Sequence, residues 1–186
     1  TMKPLAAYSQ AVQKNLIHYS SLIEDKAIPN YFGKGKAGPN NWYGYYMGNV
    51  RASYALEKSI NTVPCALVKQ MGVESTFYHL NNNLGITNLD DVEDMNLSSL
   101  GLGGTYKGIT TTQSAAAFAV FGNLGKYYQP TTFTLVTDQH DNVILKQKDS
   151  HQALDENTAT VMNYMLREVV YGDEGTGSLA KGYSTT

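Results

Sequence analysis

The density of short helical patterns between residues 50 and 121 constrains the fold of this chain more than any other feature. Apolar residues recur there every three or four positions, in segments bounded by capping residues and glycines. The four predicted helices are Val50–Lys58, Thr62–Gly72 with Thr62 as N-cap, Ser75–Gly85, and a helix from Thr110 to Phe121. This region is therefore predicted to be largely helical.

The flanking segments add two helices, a loop and a hairpin. Helical periodicity predicts one helix from Pro4 to Tyr19 and another from Asp155 to about Val170. Residues Pro29 to Gly48 are rich in Gly, Asn and Tyr and predict a long irregular loop, of a kind that is often functional. Alternating apolar residues from Thr132 to Lys148 predict a β-hairpin. The predicted fold class is therefore mainly α with one hairpin.

For two of the predicted helices, the sequence also predicts which residues are buried. The helix that opens with Thr110 begins with a capping box, and its run of alanines predicts burial on most sides. The helix from Ser75 is expected to bury Phe77, Leu80 and Leu84.

Composition excludes several classes of function. The chain has 186 residues and a formal net charge of −2, with no long basic run, so we expect no nucleic-acid partner. Its single cysteine, Cys65, lies in an apolar helical pattern and is expected in the core. The four histidines have no ligand-like spacing, and the acidic run from Asp90 to Asp94 predicts a solvated loop, so we expect no metal and no cofactor.

Two short motifs carry possible chemistry. The chain opens Thr1-Met2-Lys3-Pro4, and a Ser ahead of Thr1 would complete an S-x-x-K element at a helix start, where residues three apart share a face. Ser59-Ile60-Asn61 forms an S-x-N element at the end of a predicted helix. Each motif alone is weak evidence, because a solvated Lys3 and ordinary turn residues at positions 59 and 61 are common in other proteins.

The two motifs become specific when they are considered together with longer sequence segments that occur in a fixed order. The segment from Arg51 to Val63 resembles the helix that leads into S-x-N in class A, bifunctional penicillin-binding proteins. Residues 102–110 and 121–130 resemble that family's glycine turn and its N-x-G-x-Y-x-x-P segment, and Gly175-Thr176-Gly177 with Ala180 resembles the approach to its K-T-G strand. The resemblance covers essentially the whole chain.

The resemblance implies a partial domain. It identifies residues 1–186 as the helical part of the α/β penicillin-binding transpeptidase fold, which is serine β-lactamase-like. The nucleophilic Ser is expected just before Thr1, and the K-T-G strand after Thr186. The 186 residues alone are therefore expected to be inactive. Whether the intact protein also carries a glycosyltransferase domain stays open.

The resemblance also implies roles for individual residues. Lys3 would be the base that takes the proton of the serine hydroxyl, and a partly buried amine has the lowered pKa that this role needs. Ser59 would relay the proton to the leaving amine. Asn61 would bind the amide of the substrate and orient Lys3 through its side-chain oxygen. Trp42 would line the substrate cleft, although aromatic packing beneath a loop explains it equally well.

The implied function is that of a peptidoglycan D,D-transpeptidase, which cross-links stem peptides through a serine acyl-enzyme and binds β-lactams. The expected partners are the D-Ala-D-Ala stem peptide, β-lactams and the remaining segments of its own chain. The expected location is the extracytoplasmic face of the bacterial membrane, through an anchor outside these residues.

Several alternatives remain open at this point. A class B transpeptidase, a D,D-carboxypeptidase or a β-lactam sensor domain would share these motifs. A second kind of enzyme would use Thr1 as an N-terminal nucleophile, but such enzymes place a strand behind that residue rather than a helix opened by Pro4. A third reading is a non-catalytic helical interaction module.

Overall fold

The computed structural model describes residues 2–147 and 149–183 and contains seven α-helices within them. These are α1 (Ser9–Gln13), α2 (Ala52–Glu57), α3 (Thr62–Met71), α4 (Val73–Tyr78), α5 (Leu97–Leu102), α6 (Thr111–Gly122) and α7 (Glu156–Tyr171). Two π-helical turns, Pro4–Tyr8 and His79–Asn83, are continuous with α1 and α4, and a 3₁₀ helix spans Ser178–Tyr183.

The strands form three separate antiparallel pairs. They are β1 (Leu22–Asp25) with β2 (Gly48–Arg51), β3 (Lys126–Tyr127) with β6 (His151–Gln152), and β4 (Leu135–Thr137) with β5 (Val143–Lys146). In the first pair Leu22 lies opposite Arg51 and Asp25 opposite Gly48. The prediction of a mainly helical chain with a hairpin is confirmed.

The first helix is shorter than predicted. It ends at Gln13 rather than Tyr19, because Asn15 adopts a left-handed conformation (φ 54°) and the backbone N–H of Leu16 turns back to the carbonyl of Ala11 at 2.9 Å. Leu16 and Tyr19 therefore lie exposed beyond the helix end.

The β1–β2 pair was not predicted. Val50 and Arg51, assigned from the sequence to a helix, belong to strand β2, and α2 starts only at Ala52. A strand of four residues is too short for its alternation to stand out. The predicted loop from Pro29 to Gly48 is found up to Met47, where no helix or strand interrupts it apart from the single bridge of Ile28 to Gly38. Gly48 is the first residue of β2.

The capping predictions succeeded once and failed once. At α6, the hydroxyl of Thr110 accepts the N–H of Gln113 at 3.1 Å and the Gln113 side chain accepts the N–H of Thr110 at 3.2 Å, so the capping box is confirmed. Thr62 is not the N-cap of α3. Asn61 occupies that position, and Thr62 is the first helical residue, whose hydroxyl donates to Asp25.

Burial differs from expectation in α6 and at Phe77. Only Ala117, Val120 and Phe121 are buried in α6, so the prediction of burial on most sides is wrong in this chain. Phe77 is half-buried, whereas Leu80 and Leu84 are fully buried as predicted.

The acidic run from Asp90 to Asp94 is not wholly solvated. Asp94 is fully buried, because its carboxylate accepts the backbone N–H groups of Asp90 (2.9 Å) and Tyr106 (2.8 Å). Helix α5, which follows that run, was not predicted from the sequence.

One continuous hydrophobic core joins the π-helical turn at Pro4–Tyr8 to α2, α3 and α7. The side chains of Leu5, Ala6 and Tyr8 are fully buried at its centre, and Cys65 lies in the interior as predicted. This packing fixes the residue at the start of the first helix, Lys3, against the turn that follows α2.

Candidate active site

Lys3 occupies the N-cap position of the first helical segment and is 6% exposed. Its amine donates to the Ser59 hydroxyl at 2.9 Å, to the Ser59 carbonyl at 2.7 Å and to the Asn61 side-chain oxygen at 2.6 Å. The structure thus brings together the three residues that the motifs singled out.

Burial changes the proton affinity of the Lys3 amine. Desolvation lowers its pKa from 10.5 to about 8, and an electrostatic interaction with the nearby Cys65 side chain opposes this shift to a smaller extent. With a pKa near 8, roughly a tenth of the amine is neutral at pH 7. A solvated lysine would have far less of the neutral form, which alone can accept a proton.

The backbone after α2 explains why residues two apart face the same amine. Helix α2 ends at Glu57, and Ser59 adopts a left-handed conformation with φ 55°. The N–H of Ile60 then bonds to the carbonyl of Ala55 at 2.9 Å, and the Ile60 side chain enters the core. This reversal presents the side chains of Ser59 and Asn61 on one side.

Asn61 is held at three points. Its side-chain oxygen accepts from Lys3, its side-chain amide donates to the carbonyl of Asn40 at 2.8 Å, and its backbone N–H donates to the side-chain oxygen of Asn41 at 2.9 Å. The loop of residues 29–47 therefore supports the S-x-N turn directly.

Trp42 packs beside the turn rather than on Lys3. Its indole N–H donates to the carbonyl of Lys58 at 3.0 Å, and the amine of Lys58 lies 5.6 Å from the centre of the indole ring. Trp42 is nonetheless 64% exposed, so it is accessible to a ligand. The structure places Trp42 next to the site, against the residue that precedes Ser59.

The C-terminal segment reaches the same turn. Lys58 pairs with Glu174 at 2.5 Å, the backbone N–H of Glu174 donates to the Glu57 carboxylate at 2.8 Å, and Thr176 donates to the Glu57 carbonyl. Gly175-Thr176-Gly177 was expected near the site only from the family resemblance. Lys58 and Glu174 were not predicted, because no local pattern marks a contact between residues 116 positions apart.

Comparison with known proteins identifies the architecture. The family model described as the penicillin binding protein transpeptidase domain matches residues 1–185. The chain belongs to this family. The recognition made from the sequence is thereby confirmed.

Similar curated proteins carry related names. The chain is 30% identical over 185 residues to penicillin-binding protein 1A of Clostridium botulinum, with 97% of the chain covered. It is 32% identical over 171 residues to penicillin-binding protein 1F of Bacillus subtilis, with 91% covered. In both cases the chain spans 22% of the relative's length.

Solved structures share the fold. Penicillin-binding protein 1A from Haemophilus influenzae matches 99% of this chain and 32% of its own, with a TM-score of 0.75 and 18% identity. Penicillin-binding protein 3 from Mycobacterium tuberculosis, solved as a complex with aztreonam, matches 96% of this chain and 44% of its own, with a TM-score of 0.73 and 18% identity. The helical part of the transpeptidase fold is confirmed.

Neither a metal site nor a membrane span is seen in the part of the chain that the structure describes. Residues 2–147 and 149–183 contain no group of three or more His, Cys, Asp or Glu side chains placed to hold a metal ion. Over the same residues, no helix is both long and apolar enough to cross a bilayer.

Proposed function

We propose that this chain supplies the general base and the S-x-N turn of a serine D,D-transpeptidase that cross-links peptidoglycan. The observation that carries the proposal is the position of Lys3, whose buried amine, with its pKa lowered to about 8, donates to Ser59 at 2.9 Å and to Asn61 at 2.6 Å. A base with a pKa near the working pH combines a populated neutral form with useful proton affinity.

The reaction begins at a serine that directly precedes Thr1 in the parent polypeptide. Its hydroxyl attacks the penultimate D-Ala carbonyl of a stem peptide, and its proton passes to the neutral amine of Lys3. The tetrahedral intermediate expels the terminal D-Ala, whose amine receives the proton through the Ser59 hydroxyl. The amine of a neighbouring stem then attacks the acyl-enzyme carbonyl and gives up a proton. That proton passes through Ser59 and Lys3 to the serine oxygen as its ester bond breaks, so the cross-link forms and the serine hydroxyl is regenerated.

In this proposal Asn61 and Trp42 contact the substrate. The Asn61 side-chain amide lies beside Lys3 and is exposed enough to meet the backbone amide of a stem peptide. Trp42 lies exposed at the rim of the same turn. β-Lactams present a strained amide to the same serine, and the aztreonam complex of the Mycobacterium tuberculosis relative supports this assignment.

The parent polypeptide is proposed to follow the class A organisation, in line with relatives named penicillin-binding protein 1A. A K-T-G strand after Thr186 would complete the site. An anchor outside these residues would hold the domain at the extracytoplasmic face of the membrane, where the stem peptides are.

Labelling with a fluorescent penicillin tests the function. The parent polypeptide, extended at both ends, should form a covalent adduct on the serine before Thr1. The labelling rate should rise with pH through a midpoint near 8, because only the neutral amine of Lys3 accepts the proton. The Lys3→Ala variant should lose the adduct, whereas Lys69→Ala, at an exposed position of α3, should keep it.

Two results would overturn the proposal. One is the absence of an adduct in a protein that circular dichroism shows to be folded, which would leave a non-catalytic scaffold. The other is an adduct that forms at the same rate in Lys3→Ala, which would remove Lys3 from the chemistry.

A further inference from the structure

Asp25 ends strand β1 with a side chain that is 1% exposed, and its carboxylate collects five hydrogen bonds. Asn41 donates to both carboxylate oxygens at 2.9 and 3.0 Å, the Thr62 hydroxyl donates at 2.5 Å, the Tyr43 hydroxyl at 3.1 Å and the backbone N–H of Met47 at 2.9 Å. The carboxylate thereby joins β1, the loop of residues 29–47 and the start of α3.

The chemistry of these groups determines which way the Asn41 amide points. An ionised carboxylate only accepts hydrogen bonds, so the NH₂ group of Asn41 must face Asp25. The Asn41 oxygen then faces the other way and accepts the backbone N–H of Asn61 at 2.9 Å. With the amide reversed, its NH₂ group would meet that N–H, and two donors would face each other.

Asn61 in turn holds Lys3. Its side-chain oxygen accepts from the amine at 2.6 Å, so a connected series of contacts runs from Asp25 through Asn41 and Asn61 to Lys3. We infer that Asp25 is a positioning residue of the active site, which orients Asn41 so that the S-x-N turn presents Asn61 to Lys3. This inference rests on the proposed function for its catalytic consequence, but its structural part stands on these contacts alone.

Amide hydrogen exchange of the 186-residue chain tests the structural part. In the Asp25→Asn variant, an amide replaces a pure acceptor, Asn41 loses its fixed orientation, and the Asn61 N–H should exchange at least about tenfold faster. The matched control is Asp94→Asn, which alters another fully buried carboxylate that accepts backbone N–H groups at 2.8 and 2.9 Å. It should leave the Asn61 amide as slow as in the parent chain.

Exchange at the buried Leu67 in α3 reports global opening in every variant and serves as the reference. Unchanged Asn61 protection in Asp25→Asn, measured relative to Leu67, would overturn the inference.

A double variant that exchanges the side chains of Asp25 and Asn41 tests the orientation argument more directly. In the double variant Asp25→Asn, Asn41→Asp, the donor and acceptor between these positions are reversed, and the new carboxylate at position 41 can still accept the Asn61 N–H. The contact of Asn41 with the Tyr45 carbonyl at 3.1 Å is lost, so partial recovery of Asn61 protection is expected. Protection that stays as low as in Asp25→Asn would contradict the orientation argument.

Acylation by fluorescent penicillin tests the catalytic part in the extended parent polypeptide. Because misplacement of a catalytic group by about 1 Å costs on the order of 100-fold in rate, Asp25→Asn should lower the acylation rate constant by about 10- to 100-fold. Asp94→Asn should acylate at the parental rate at temperatures where both variants are folded, and the double variant should recover part of the rate.

The two hypotheses fail differently. A parent polypeptide that is folded but never acylated would refute the proposed function. The hydrogen-exchange rate of the Asn61 amide would still test the structural role of Asp25. Normal acylation of Asp25→Asn would refute the positioning role and leave the proposed function intact.

Discussion

The amine of Lys3 lies 2.9 Å from the hydroxyl of Ser59, although 56 residues separate them in the sequence. The contact exists because the first helical segment is buried against α3 and the turn after α2 reverses at a left-handed Ser59. A charged amine in such a position is costly to the fold, and this cost can be measured.

Lys3 should make the stability of the chain rise with pH. Its pKa is about 8 in the folded state and 10.5 in the unfolded state, so between these values the unfolded chain binds more protons and stability increases. Between pH 7.5 and 9.5 the gain should be about 2 kcal/mol. Urea denaturation gives the free energy of unfolding of the 186-residue chain and of Lys3→Met at each pH. The difference between the two proteins isolates the contribution of Lys3, because the titrations that they share cancel. A difference that falls or stays flat over this range would contradict the prediction.

The capping box of α6 should contribute measurably to stability. Thr110→Ala removes the acceptor of the Gln113 N–H, and loss of an N-cap side chain costs about 1 kcal/mol. Thr111→Ala, one position later and exposed, makes no capping bond and should change the free energy of unfolding by only a few tenths of a kcal/mol. Equal effects in the two variants would show that the box is not formed in solution.

Gly125 should tolerate no side chain. It has φ 83°, and a β-carbon there would collide with the carbonyl oxygen of Leu154, whose N–H bonds to the Gly125 carbonyl at 3.1 Å. Gly125→Ala should therefore lower stability by at least about 2 kcal/mol. Gly122→Ala, at the end of α6 with no atom within 4 Å of the new β-carbon, should be neutral or raise stability by about 0.5 kcal/mol. Thermal unfolding of the two variants tests this contrast.

Removal of the Tyr8 hydroxyl should not lower the stability of the chain. The ring is fully buried, and its oxygen has no hydrogen-bond partner among the described residues. Because an unsatisfied buried hydroxyl costs about 1–3 kcal/mol, Tyr8→Phe should be neutral or stabilising. Tyr43→Phe provides the opposite case, since that hydroxyl donates to Asp25 at 3.1 Å, and its loss should cost about 1 kcal/mol. A clear loss of stability in Tyr8→Phe would reveal a bound partner, such as a buried water.

Much of the local structure could be predicted from residues that are near one another in the chain. The capping box at Thr110, the stop of α3 at Gly72 and the hairpin near residues 135–146 each depend on residues close together in the chain, so local propensity is enough to find them. The ordered motif blocks also pointed to Lys3, Ser59 and Asn61 and to the family. Prediction failed where strands are short, as in β1 and β2, and where helix ends depend on one left-handed residue, as at Asn15.

The network that supports the site depends on long-range packing. Asp25, Asn41 and Thr62 come from a strand, a loop and a helix, and no periodicity connects them. The lowered pKa of Lys3 is likewise a property of burial, which arises when distant segments pack together and exclude water. Local sequence patterns specify which groups are available, but the distances and the dielectric environment that give those groups their chemistry are set by long-range packing.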